Sequence, residues 1–176
     1  MLHLTELMLL LSMAVAGLLS IGEPLPSLQG KDLSGTSIEL PAAARGDVTL
    51  LIVGFSYDSR VAVEDWAKRF RQEFERLPGV RFYEVPMIGG MARMGKWFID
   101  SGMRRGTPKA DHGKVITVYG GSGDWKKRLG YRDGAAAYLI LLDRTGRVRY
   151  LYQGKMDSAA WRKLASTTRQ WMQQAR

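Results

Sequence analysis

A short polar loop carries the residues of this sequence that are best placed to do chemistry. Ser56, Asp58 and Ser59 follow a continuous apolar run, VTLLIVGF, and precede a long amphipathic segment. Because free backbone N–H groups point outward where a helix begins, this loop is a candidate site for an anion or a peptide backbone. The simpler interpretation is that Asp58 or Ser59 caps the helix. Tyr57 and Arg60 complete the candidate loop, residues 56–60.

Other catalytic chemistry finds little support in the sequence. A Ser–His–Asp site would need His112 as its base, and no G-x-S-x-G motif occurs. The second histidine is His3, so a multi-histidine metal site is excluded. Cysteine is absent, which removes thiol nucleophiles, disulfides, Fe–S clusters and the usual structural zinc sites. We therefore predict no catalytic residue, no metal and no cofactor, and a non-enzymatic role is favoured.

Methionines form a second candidate surface. The spacing of Met87, Met91 and Met94, four residues and then three, predicts one face of a helix. Thioethers in an exported protein suit copper, but the same spacing is typical of a core-facing stripe or an adaptable protein-binding groove. The predicted partner surface consists of Met91, Met94, Trp97, Arg104 and Arg105.

The charge of the chain permits an anionic partner without identifying one. Its 176 residues include 26 Lys plus Arg against 17 Asp plus Glu, a net charge of +9. The basic residues occur in short separate clusters, and no nucleic-acid motif accompanies them. The glycine-rich stretches lack the lysine of a phosphate-binding loop. We expect neither nucleic acid nor nucleotide as a partner, and at the basic clusters either plain solvent or an anionic membrane surface.

The N-terminal segment predicts export or membrane anchoring. Residues 7–19 are uncharged and mostly apolar, a length typical of a signal-peptide core and short for a membrane span. Small residues at Ser20 and Gly22 suit cleavage before Glu23, although the first six residues lack Lys and Arg. We assign residues 1–22 to a signal peptide or N-terminal anchor and 23–176 to one domain, periplasmic or held at the inner membrane. A buried helix is the alternative.

Hydrophobic periodicity predicts the elements that position these residues. They are a hairpin at 29–46, strands at 48–55, 80–85, 114–119, 136–142 and 147–153, helices at 61–77, within 87–105 and at 122–129, and a terminal helix capped by Asp157 or Ser158. The second strand is expected to end at Pro86. This alternation predicts an α/β fold with a mainly parallel sheet between helices and an antiparallel hairpin at one edge.

Several stretches resemble thioredoxin-like proteins of the TlpA and peroxiredoxin type. They are DLSGTSIELPAAARGDVTLLIVGF, the helix bearing Trp66, and LGYRDGAAAYLILLDRTGRVRYLYQG. The resemblance implies a three-layer α/β/α sandwich whose mixed sheet ends in a C-terminal antiparallel hairpin and a terminal helix. Catalytic members carry a Cys-x-x-Cys or a single peroxidatic Cys where this chain has residues 56–60, and a cis-proline where it has residues 135–137. The resemblance therefore implies a binding scaffold without redox chemistry.

A narrower set of motifs is similar to the ATP-ten-type assembly factors of ATP synthase. GDVTL at 46–50, Gly102-Met103-Arg104 and YLILLDRTGRVR at 138–149 carry this similarity, with Tyr150 where that family commonly has Trp. It implies a thioredoxin-like protein without a redox pair that assists assembly of a membrane complex, with a protein client as partner. The alternatives are an oxidoreductase relative with a non-thiol site at 56–60 and a periplasmic copper-handling protein that uses the methionines.

Overall fold

The centre of the fold is a strand whose side chains are all buried. Val48–Gly54 is apolar except for Thr49, so both of its faces need cover, and strands on either side supply the backbone partners. The computed structural model describes residues 17–89 and 95–174. The strands are β1 (Leu28–Asp32), β2 (Ser37–Leu40), β3 (Val48–Gly54), β4 (Val80–Ile88), β5 (Ile116–Tyr119), β6 (Ala137–Leu142) and β7 (Val148–Gly154), and the helices are α1 (Arg60–Phe74), α2 (Lys96–Gly106), α3 (Ser122–Arg128) and α4 (Ser158–Gln173).

The described strands form one mixed sheet of seven in the order β2-β1-β5-β4-β3-β6-β7. β3 pairs in parallel with β4, and β4 with β5. The pairs β1–β2, β1–β5, β3–β6 and β6–β7 are antiparallel. The expectation of a mainly parallel sheet is therefore wrong, because the first hairpin adds to the free edge of β5 and β6 returns antiparallel beside β3.

Two helices, α1 and α4, cover one face of the sheet, and α3 together with an N-terminal segment covers the other. On the first face, Trp66 and Phe70 of α1 and Leu164 of α4 pack on side chains from β3 and β6. On the second face, Trp125 of α3 packs with Leu19 and Leu25 on the opposite side chains of the same strands. These layers confirm the predicted three-layer α/β/α sandwich with its C-terminal hairpin and terminal helix.

Strand β4 extends further than the periodicity predicted. It continues through Pro86, which lies opposite Gly54 where its pairing with β3 ends, and Met87 pairs with Val118 of β5. Met87 is buried and therefore does not share a helical face with Met91 and Met94, as the spacing had predicted. Met91 and Met94 themselves lie outside the described residues.

Residues 17–25, which we call the N-terminal strap, pack against the second face of the sheet. Leu19 and Leu25 are buried there. The amide of Leu19 donates to the carbonyl of Arg128 at 2.8 Å, and that of Gly22 to Val148 at 2.7 Å. The boundary between a leader and a domain at residue 22 stays a prediction. Within 17–89 and 95–174, no helix combines the length and apolar character that crossing a membrane requires.

A carboxyl group of β4 gives the fold a measurable pH dependence. Burial raises the pKa of Glu84 from 4.5 to about 7, and the positive charge of Arg71 offsets part of this effect. Because the folded pKa is raised, the contribution of Glu84 to stability is fully present below pH 4.5 and is lost as pH rises through 7.

We therefore expect Glu84→Gln to stabilise the protein at pH 8.5 by about 1–3 kcal/mol, since each unit of pKa shift corresponds to about 1.4 kcal/mol and part of the Glu84 side chain still contacts water. At pH 4 the difference should nearly vanish, because the carboxyl is then mostly protonated in both the folded and the unfolded state. Urea unfolding at both pH values measures this. Glu39→Gln, at an exposed position, is the control, and an equal effect of Glu84→Gln at both pH values would contradict the assignment.

Candidate functional site

The candidate loop lies at the carboxyl end of β3. After Gly54 and the buried Phe55, Ser56 takes an extended conformation and begins a 3-10 turn over Tyr57–Ser59 that leads into α1. This end of the sheet is formed by the carboxyl ends of β3, β4 and β5 and by the amino end of β6. An open α/β sheet commonly binds ligands at the carboxyl ends of its parallel strands.

Neither Asp58 nor Ser59 caps α1 through its side chain, so the predicted capping role is wrong. Ser59 occupies the N-cap position, but its φ and ψ of −73° and −11° are already helical and no side-chain cap bond forms. An N-cap side chain normally accepts a helix N–H from an extended backbone. Here the Ser59 hydroxyl instead donates to the carbonyl of Ser56 at 2.7 Å.

The two serines of the loop lie at different depths. Ser56 is exposed, whereas Ser59 is only 2% exposed and lies beneath it. A Cβ added to Gly54 would come within 2.5 Å of the Ser59 Oγ, so glycine at 54 makes room for that hydroxyl. Ser56-x-x-Ser59 thus has the spacing of a Cys-x-x-Cys motif, with an outer position and an inner position.

A second loop, residues 131–136, faces the first. The Ser56 hydroxyl donates to the carbonyl of Gly134 at 2.6 Å. Tyr138 holds this second loop from below, because its hydroxyl accepts N–H groups from Arg132 and Asp133 and donates to the carbonyl of Asp133. One direct hydrogen bond therefore joins the two loops, and the start of β6 fixes their geometry.

Apolar and cationic groups surround the loop on its solvent side. Tyr57 is 81% exposed and Val61 is 63% exposed. The Arg60 guanidinium lies 5.6 Å from the centre of the Tyr57 ring and 3.5 Å from Glu64. Lys126 places its ammonium 4.3 Å from the centre of the Tyr131 ring. Exposed aromatic and basic side chains of this kind suit contact with another protein.

Arg104, from the second predicted surface, lies away from this loop. Trp97, Arg104 and Arg105 belong to α2, and both arginines are exposed in its last turn. The Nε of Arg104 donates to the carbonyl of Leu33 at 2.9 Å. Leu33 follows Asp32, the β1 residue that pairs with the amino end of β5. Arg104 therefore lies toward the amino ends of the parallel strands, whereas residues 56–60 lie at their carboxyl ends.

Sequence reasoning missed the residues that support the candidate loop. Tyr138 was predicted only as part of a buried strand, and Val61 only as part of a helix. A signal for Tyr138 did exist, because a tyrosine inside the apolar run AAYLILL must find a partner for its hydroxyl. In the part of the chain that the structure describes, no cluster of His, Asp or Glu has the arrangement of a metal site.

This architecture, with a loop between the central strand and the first long helix, is the thioredoxin-like fold. The thioredoxin domain of a thiol-disulfide oxidoreductase from Bacteroides vulgatus matches it with a TM-score of 0.56 and 17% identity, over 85% of this chain and 99% of that one. A thiol peroxidase from Chromobacterium violaceum matches with a TM-score of 0.54 and 15% identity, over 85% and 87%.

The pneumococcal exposed lipoprotein thioredoxin from Streptococcus pneumoniae matches with a TM-score of 0.53 and 14% identity, over 80% of this chain and 98% of that one. No protein-family model matches the chain, and no curated protein matches it in sequence. At these identities the likeness establishes the fold, and the activity must be argued from the site itself.

Proposed function

We propose that this protein is a non-redox thioredoxin-like factor that binds a protein client at residues 56–61. The observation that carries the proposal is the exposed pair Tyr57 and Val61 at the start of α1. Tyr57 lies between the two positions where a redox dithiol would lie in this fold, Val61 follows the second of them, and the chain contains no cysteine. Two exposed apolar side chains therefore lie where a redox site would lie in this fold, which supports client binding at that place.

The hydrogen bonds of the loop support binding over covalent catalysis. Ser56 donates its hydroxyl proton to the carbonyl of Gly134, and Ser59 donates its proton to the carbonyl of Ser56. An activated serine needs instead a base that accepts its proton. Among the described residues neither hydroxyl bonds to such a base, so a non-thiol enzyme built on these serines is the weaker candidate.

The client we propose belongs to a membrane complex, and the protein works outside the cytoplasm, exported or anchored. The uncharged residues 7–19 and the +9 charge support this location. The motif similarity of residues 138–149 to ATP synthase assembly factors suggests that synthase as one client to examine first.

The test is affinity capture from detergent-solubilised membranes of the source organism, with the recovered proteins quantified by mass spectrometry. Tyr57→Ser combined with Val61→Ser should reduce recovery of the client about tenfold or more, because both side chains lose apolar contact. Leu77→Ser is the matched control, since Leu77 is also an exposed apolar residue but follows the far end of α1. Equal recovery with all three proteins, or recovery of nucleic acid alone, would contradict the proposal.

A further inference from the structure

The N-terminal strap has one buried side and one exposed side. Leu19 and Leu25 enter the core, while Leu18 is 67% exposed and Ile21 is 64% exposed. The strap is fixed to the domain at both ends, through Leu19 at the end of α3 and through Leu25, whose amide donates to Gly146 at 3.0 Å. Its exposed apolar side chains are therefore held in place on the surface.

We propose that the protein keeps the strap and that the exposed side of the strap is a lipid-docking surface that rests on an anionic bilayer. Leu18 and Ile21 would enter the interface between headgroups and acyl chains, where burial of such side chains is favourable. The chain that reaches the strap from the N-terminal side is uncharged and mostly apolar from residue 7 onward. The apolar surface is thus continuous along the sequence with a segment of the same character.

Charge complementarity favours lipid as the occupant. The Arg147 guanidinium donates to the carbonyl of Gly22 at 2.9 Å, and Lys127 and Arg128 end α3 where Leu19 is bonded. The acidic residue of the strap is Glu23, whose carboxylate accepts the N–H of Ser20. Residues that bond to the strap or adjoin that bond thus include three basic side chains, against one acidic side chain within the strap, as expected for a surface that meets anionic headgroups.

This docking would place the candidate loop beside the membrane. A Cβ added to Gly130 would lie 3.5 Å from the Leu18 side chain. The next residue, Tyr131, contacts Phe55 edge to face with ring centres 5.5 Å apart, and Phe55 directly precedes Ser56. The inference concerns lipid alone and does not depend on the identity of a client.

Single-cysteine labelling of the full chain tests the proposal, because the natural sequence has no cysteine to remove. Leu18→Cys, Ile21→Cys and the control Leu77→Cys each carry an environment-sensitive NBD fluorophore. Each labelled variant is mixed with vesicles of phosphatidylcholine alone, or with vesicles in which a quarter of the lipid is phosphatidylglycerol. A nitroxide on the lipid acyl chains serves as the quencher. We expect a blue shift and quenching at positions 18 and 21 with the anionic vesicles, and neither at 77.

A second measurement uses vesicle co-sedimentation of unlabelled protein. Leu18→Ser combined with Ile21→Ser should weaken partitioning into the anionic vesicles about tenfold or more relative to Leu77→Ser. Added salt should weaken the partitioning of the wild-type protein into the same vesicles. Water-exposed labels at 18 and 21 on vesicle-bound protein would overturn the proposal. So would protection of these labels by membrane extract but not by pure lipid, which would assign the surface to a protein partner. Neither result would bear on client binding at residues 56–61.

Discussion

Replacing Ser56 and Ser59 together with cysteine should create thiol-disulfide exchange activity in a protein that has none. The amide of Ser59 donates to the carbonyl of Ser56 at 3.3 Å, and the ends of such a turn lie within disulfide range. The outer position is exposed and the inner one is buried, so an outer thiolate can attack a substrate disulfide and the inner thiol can resolve the mixed disulfide. The start of α1 would stabilise the outer thiolate.

The measurement is insulin reduction with dithiothreitol as the reductant, in which the double variant should exceed the uncatalysed rate about tenfold or more. Ser56→Cys alone is the control, because it has no partner for an intrachain disulfide. Wild type should match the uncatalysed reaction. A folded double variant that stays reduced under oxidising conditions, or that forms the disulfide without activity, would show that the loop no longer has the redox geometry of its fold.

Trp66→Ala should cause a large loss of stability, about 3–5 kcal/mol, as expected for truncating a fully buried tryptophan. Trp66 is 0% exposed, and its indole Nε1 donates to the carbonyl of Gly154 at 3.2 Å. Its ring also contacts Tyr152 edge to face, with centres 5.5 Å apart. The substitution thus leaves a cavity between α1 and the end of β7 and removes the hydrogen bond from the indole to the Gly154 carbonyl.

Equilibrium urea unfolding monitored by circular dichroism gives the free energy of both proteins. Trp171→Ala is the matched control, since Trp171 is half-buried and is covered by the Arg149 guanidinium at 3.9 Å. We expect this control to lose about 1–2 kcal/mol. If the two variants lose the same free energy, Trp66 does not hold α1 on the sheet in the way described.

Much of the fold could be predicted because local patterns determine it. The run at residues 48–55 has no polar face, so it had to be a central strand, and it corresponds to β3. The D-x-x-G turn also determines its own structure: Asp143 accepts N–H groups from Thr145 and Arg147 and pairs with Arg149 at 2.6 Å. Asp157 caps α4, as predicted, because its side chain accepts two backbone N–H groups of the helix.

The errors arose where distant parts of the chain decide the local structure. Met87 has helical spacing from its neighbours, yet pairing with β5 keeps it in a strand. The loop 56–60 looked like a capping sequence, but the Ser59 hydroxyl bonds to the carbonyl of Ser56, and the Ser56 hydroxyl in turn bonds to a carbonyl 78 residues away. A single sequence contains no signal for such a bond, because both partners are common residue types in polar loops.

The N-terminal strap also protects an edge of the sheet. β7 is an outer strand rich in aromatic and aliphatic residues, the kind of edge on which a second chain can add a strand. Gly22 donates to the carbonyl of Val148, and the amide of Val148 donates to Glu23. The strap thus occupies the first backbone groups of this edge, which leaves fewer of them to pair with a strand of a second chain.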